Sequence, residues 1–287
     1  MKSSYNPKVN ICLSLLFFLC LTLNLTMCKK AEDSKQSINE QMATKSSDST
    51  TKDVKTSGIV PITSIPIKEL DSLFSLAMLD AQNPEPSEIS HNLINLETNK
   101  NLIDTTINGE RYIKMVSWKL NPAWYPKKGK FNNGNRVIWV TAAPIIKDSC
   151  RSFYKNHKDP NMRLRQLLGL QPFTPETFFL ELWVKPSDMF RPGPDNEVND
   201  NTCGLNLPNN VTPDYRKWFN NTRATQYNDC KDTLFNQYGY PWTQLGYTYD
   251  WSPDNPTHVG LSEFVIKENT NMFVSGEYPN RVYCASN

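Results

Sequence analysis

Every tryptophan in this 287-residue chain lies beyond residue 59, with eleven of its thirteen phenylalanines and eleven of its twelve tyrosines. Aromatic side chains supply much of the area that a core of this size buries. Folding is therefore confined to the stretch from 59 to 287, which reads as one globular domain. Residues 29 to 58 (KKAEDSKQSINEQMATKSSDSTTKDVKTSG) have no aromatic and only Ile38, Met42 and Val54 as large apolar side chains. Such a segment cannot bury enough surface to offset the entropy of ordering it. With Cys28 it reads as a disordered linker over 28–58, a flexible coil reaching roughly 30 Å.

Within 59–287 the pattern of apolar residues predicts a mixture of strands and short helices. Ile67, Leu70, Phe74 and Met78 recur at helical spacing, so 66–80 is an amphipathic helix. Asn108-Gly109 separates two β-rich runs, 103–107 and 111–119; both turn residues tolerate positive φ, which makes this the strongest hairpin signal in the chain. Further strands are expected at 136–141, 177–184, 244–250, 262–267 and 271–275. Helices are expected at 148–156, at 160–168 with Asp159 as cap and Gly169 as stop, and at 213–224 with Thr212 as cap and Pro213 in the first turn. Residues 191–210 (RPGPDNEVNDNTCGLNLPNN) are too rich in Pro, Gly and Asn for regular structure. Strands outnumber helices and the hairpin favours antiparallel pairing, so the fold class is α+β, mainly antiparallel sheet with several short helices.

Residues 1–27 hold Lys2 and Lys8, no acid, and an apolar run from 11 to 27 that ends at Cys28-Lys29-Lys30. That is the layout of a secretory signal, and about 20 uninterrupted apolar residues would be needed for a permanent helical span. Leu25-Thr26-Met27-Cys28 resembles the lipobox of bacterial lipoproteins, with Met27 standing where a smaller residue is usual. The resemblance implies cleavage ahead of Cys28, a diacylglycerol thioether on its sulfur and a fatty chain such as palmitate on its amine. Each buried CH₂ contributes about 0.8 kcal/mol, so two chains suffice for stable anchoring. It also implies residence in the cell envelope, with Lys29 after the cysteine leaning towards the outer membrane, on its periplasmic or surface face.

Loss of Lys2 and Lys8 lowers the formal net charge from +2 to zero. A neutral chain without a basic stripe lacks the clustered cations that a nucleic-acid binder uses to release counterions. Cys150, Cys203, Cys230 and Cys284 follow the linker; an even number beyond an export signal points to two disulfides, with three pairings open. No C-x-x-C, G-x-S-x-G, H-E-x-x-H or Walker loop is present, so no cofactor and no metal is expected. Asp195, Glu197 and Asp200 lack the glycine turn and closing glutamate of a calcium loop and read as a solvated acidic segment. Of His91, His157 and His258 the last is the most suggestive, with Asp250 before it and Glu263 after; Asp250, His258 and Glu263 are the only catalytic nominees. The surrounding Pro and Asn describe a turn.

The aromatic tract 238–251 places Tyr247 and Tyr249 on one strand face. With Trp242 and Trp251 they form either a ligand-stacking platform or part of the core, polar tips hydrogen-bonded. This tract, with Leu261-Ser262-Glu263-Phe264-Val265-Ile266 and Arg163-Leu164-Arg165-Gln166-Leu167-Leu168, resembles an uncharacterised group of exported bacterial proteins from about residue 136 onward. The resemblance implies a single envelope domain. The expected function is a lipid-anchored, non-catalytic module that binds an envelope protein or glycan or serves a structural role; the alternative is a carboxylate-dependent hydrolase acting on glycan or peptide. Growth on labelled palmitate should label the protein through Cys28, and Cys28→Ser should abolish that label.

Overall fold

The computed structural model describes residues 67–157, 159–228 and 239–285. The signal over 1–27, Cys28, the linker and Cys230 lie outside them. The helix expected over 66–80 is α1 (Ile67–Ala81); Leu70, Phe74, Ala77 and Ala81 are its buried stripe. The predicted hairpin is β1 (Asp104–Ile107) and β2 (Glu110–Lys119), turning through Asn108 at φ 53° and Gly109 at φ 82°. A short strand that the sequence did not announce follows, β3 (Gly129–Asn132). Then come β4 (Ile138–Ala142), α2 (Ala143–Asn156), α3 (Pro160–Leu167) and β5 (Phe178–Val184).

Local chemistry sets the ends of these elements. Asp159 accepts a hydrogen bond from Met162 N at 2.9 Å, capping α3 as expected, and Gly169, at φ 65°, turns the chain away beyond it. After the two-residue β6 (Met189–Phe190), the 191–210 segment has no regular element, as its composition requires. Thr212 caps α4 (Pro213–Arg223) by accepting from Tyr215 N. The chain then forms β7 (Tyr247–Tyr249), β8 (Val259–Ile266), β9 (Asn271–Pro279) and α5 (Asn280–Ala285).

The nine strands make one sheet in the order β3-β9-β5-β2-β4-β8-β6, with β1 added on β2 and β7 on β8; every pairing is antiparallel. With five short α-helices among the described residues this is an α+β domain, as the strand-rich pattern predicted. Alternation sends Ile113, Met115, Leu180, Leu182, Phe264 and Ile266 to the first face, where Leu96 and Leu102 pack on them. The second face carries two separate clusters. In one, Val116, Trp118 and Phe179 meet α2, α3 and α5 through Ile146, Leu164 and Tyr283. In the other, Phe190 and Val265 meet Tyr215 and Phe219 of α4, together with Trp242. Burying one such side chain contributes about 1.5 to 3 kcal/mol.

Cys150 of α2 and Cys284 of α5 form a disulfide, Cα to Cα 5.2 Å, across a separation of 134 residues. Cys203 is a buried thiol that donates to Asp195 O, and Cys230, the remaining partner for the expected second bridge, lies outside the described residues. The bridge removes conformations from the unfolded chain, more so for a long loop. Cys284→Ser should therefore lower stability by about 3 to 5 kcal/mol. A drop in thermal midpoint that reductant does not deepen further would verify this.

Candidate functional site

Between the two clusters on the second face lies a cavity of about 400 Å³, a volume in the range of small-ligand sites. It arises where β2 and β4 part. Their ladder covers only Met115↔Ala142 and Val116↔Thr141, after which the Ser117 hydroxyl, rather than a backbone amide, donates to Trp139 O at 2.7 Å. Thr141 and Glu263 stand directly opposite each other on β4 and β8 and line the floor. Trp139, Trp242 and Tyr249 wall one side; Trp118, Ile146 and Phe179 wall the other. At the mouth, Leu120 (48% exposed), Trp124 (57%) and Tyr240 (42%) supply three of the six exposed large apolar side chains among the described residues. Apolar side chains gathered at one opening mark a contact site more strongly than the same number scattered singly.

Glu263 is the one charged residue of the run Leu261–Ile266, and the strand places it at this floor. Its carboxyl has no hydrogen bond or ion pair with any described residue. Burial alone pushes its pKa up to about 8, so it is largely protonated at neutral pH. Lys119, on the end of β2, also lines the cavity; burial first, then repulsion from Arg136, pushes it down to about 8, with Glu176 opposing the fall. Glu176 itself lines the cavity and lies 4.0 Å from Arg165 Nε.

The three catalytic nominees do not form one unit. Asp250 is buried and held by both ends of the Arg163 guanidinium, at 2.9 and 2.6 Å, and it also accepts from Asn255 Nδ2 at 3.0 Å. His258 has φ 53°, places Nδ1 3.0 Å from Asp250 O and stacks its ring on Tyr249 at 4.9 Å. No hydrogen bond or ion pair joins Glu263 to either of them, so Asp250 and His258 stabilise a turn while Glu263 alone reaches the cavity.

The four aromatic candidates are all buried, as the core alternative has it. Each polar tip is satisfied: Trp242 Nε1 by Pro192 O, Tyr247 by Glu88 O, Tyr249 by Asp80 Oδ2 and Trp251 Nε1 by Leu170 O. Trp242 and Tyr249 nonetheless turn part of their rings to the cavity wall. The acidic loop has a different use from free solvation. Arg191, 0% exposed, donates to Glu197 O, Asp200 O and Asp200 Oδ1, so the loop wraps a buried guanidinium.

Compared with protein-family models, with curated proteins and with solved structures, the chain matches none. The site is therefore read from its own chemistry. Sequence reasoning missed Trp118, Trp139, Thr141, Lys119 and Glu176, which come together only through strand pairing. One signal was available: a glutamate inside a strand buried on both faces must meet a partner or a cavity.

Because Glu263 is raised from about 4.5 to about 8 on folding, its contribution is full below pH 4.5 and is lost as pH rises towards 8. Glu263→Gln removes that loss. The variant should be more stable than the parent by about 1 to 2 kcal/mol at pH 8, water in the cavity moderating the gain, and equal to it at pH 4.5. Asp250→Asn should instead cost about 3 kcal/mol at neutral pH by leaving Arg163 unpaired. Denaturant unfolding at the two pH values distinguishes the two.

Proposed function

We propose that this chain is a membrane-tethered binding protein whose cavity seats a side group of an envelope glycan without transforming it. The observation that carries the reading is the cavity itself: an aromatic-walled recess with an exposed apolar mouth and a single unpartnered carboxyl at its floor. Exposed Trp124 and Tyr240 offer large contact area at low entropic cost, suited to a ring stacked at the entrance. The tether belongs to the proposal through Leu25-Thr26-Met27-Cys28, with lipid on Cys28 holding the domain at the envelope. Among the described residues no helix is long and apolar enough to cross a membrane.

Hydrolysis of glycan or peptide is the second reading, and one observation favours it: Glu263 is an acid held protonated near neutrality inside a cavity. It rests on Glu263 alone, because Asp250 and His258 are engaged elsewhere. Titration of glycan fragments from the bacterial envelope against the full chain should quench the wall tryptophans and saturate. Trp124→Ala and Tyr240→Ala should each weaken binding at least fivefold with unchanged stability. Release of new reducing ends during the titration would replace binding by hydrolysis; absence of any saturable response would refute both.

A further inference from the structure

The inner end of the cavity has few hydrogen-bonding groups left for a ligand. Tyr249 Oη already donates to Asp80 Oδ2 at 2.8 Å, Trp242 Nε1 to Pro192 O at 3.0 Å and Trp118 Nε1 to Asn280 Oδ1 at 2.6 Å. The Thr248 hydroxyl is taken by Leu167 O and Leu261 N. These residues therefore present ring surface rather than donors. A sugar ring pushed to the floor would bury several hydroxyls without partners, at a cost for each. What remains at the floor is the Glu263 carboxyl with the Thr141 hydroxyl opposite it, flanked by tryptophan and tyrosine rings. Trp139 and Trp242 meet edge to face at 6.1 Å, forming a corner beside the strand that carries Glu263.

A carboxyl without a cation, walled by aromatic rings, has the chemistry of a receptor for a positively charged nitrogen. Ring faces attract a cation through their quadrupole and the carboxylate completes the charge balance. A metal ion is a poorer fit, since no cluster of three ligating side chains exists among the described residues. We infer that the inner end of the cavity receives an organic ammonium group, with Glu263 as counter-ion and Trp139, Trp242 and Tyr249 as the surrounding rings. The inference rests on the binding reading above and names the group that enters first: an amino sugar or an amine-bearing substituent, with the rest of the ligand at Trp124 and Tyr240.

Binding of the cation requires Glu263 to lose its proton. The other titratable groups around the cavity are Tyr227 after α4, Tyr249 on β7, Tyr240 at the mouth, Lys119 on β2 and Glu176 before β5. Burial drives the three tyrosines upward. Lys119 alone shares the range of Glu263, so it is controlled separately.

The probe is choline, whose charge does not titrate, followed by tryptophan fluorescence of the full-length protein, with neutral 3,3-dimethylbutanol as its isostere. Choline affinity should rise about tenfold per pH unit below about 8 and then level off, while the isostere binds more weakly and without slope. Glu263→Gln should remove the slope and lower choline affinity at pH 8.5 at least tenfold; Lys119→Met should keep the slope. Glucosamine, N-acetylglucosamine and cadaverine then separate an amino sugar from a flexible amine. Equal binding of choline and the isostere, or a slope that survives in Glu263→Gln, overturns the ammonium assignment and leaves the binding reading standing. No response to any of these probes or to glycan fragments overturns both.

Discussion

A sheet with apolar side chains on both faces must be covered twice, and the rest of this structure follows from how unevenly that is done. The first face is closed by the segment around Leu96 and Leu102. The second is closed in two pieces, by α2, α3 and α5 on one side and α4 with Trp242 on the other. The pieces do not merge over β4 and β8. The remaining space is walled by side chains that would otherwise have finished a core, which explains why it is aromatic.

Polar groups in that neighbourhood divide into those with partners and those without. Asp250 and Arg163 neutralise each other inside the protein, and Arg191 is surrounded by the carbonyls of its own loop. Both arrangements fix chain geometry. Glu263 is different because no described residue pairs with its carboxyl, and desolvation at the cavity floor raises its pKa so that it holds its proton. Function is sought there because a buried group left uncompensated costs stability, a cost that a functional site tolerates.

Much of the fold was legible because its signals are local. Asn108-Gly109, Asp159-Pro160 and Thr212-Pro213 each fix a turn or a cap within four residues, and the hairpin and both helices stand where those residues put them. Strand β3 was not legible: Gly129–Asn132 alternates weakly and becomes a strand only by pairing with β9, some 140 residues on. The aromatic tract shows the same limit. Periodicity placed Tyr247 and Tyr249 together, but their burial depends on Glu88 and Asp80, contributed by the helical region near residue 80. The candidate site was half visible. Glu263 stood out as a neighbour of His258, whereas its true companions, Thr141 and Trp139, are set by strand register, which no short window of sequence records.

The position of β9 bears on how such a chain is made. It lies between β3 and β5, although it is the last of the described strands, and it pairs with β3 over 271–274 and with β5 over most of its length. During synthesis, amino end first, β3 and one side of β5 would wait with open hydrogen-bonding edges until residues near 279 arrive. Until then the growing chain would depend on being kept extended or chaperoned, and the sheet would close late, in one concerted step.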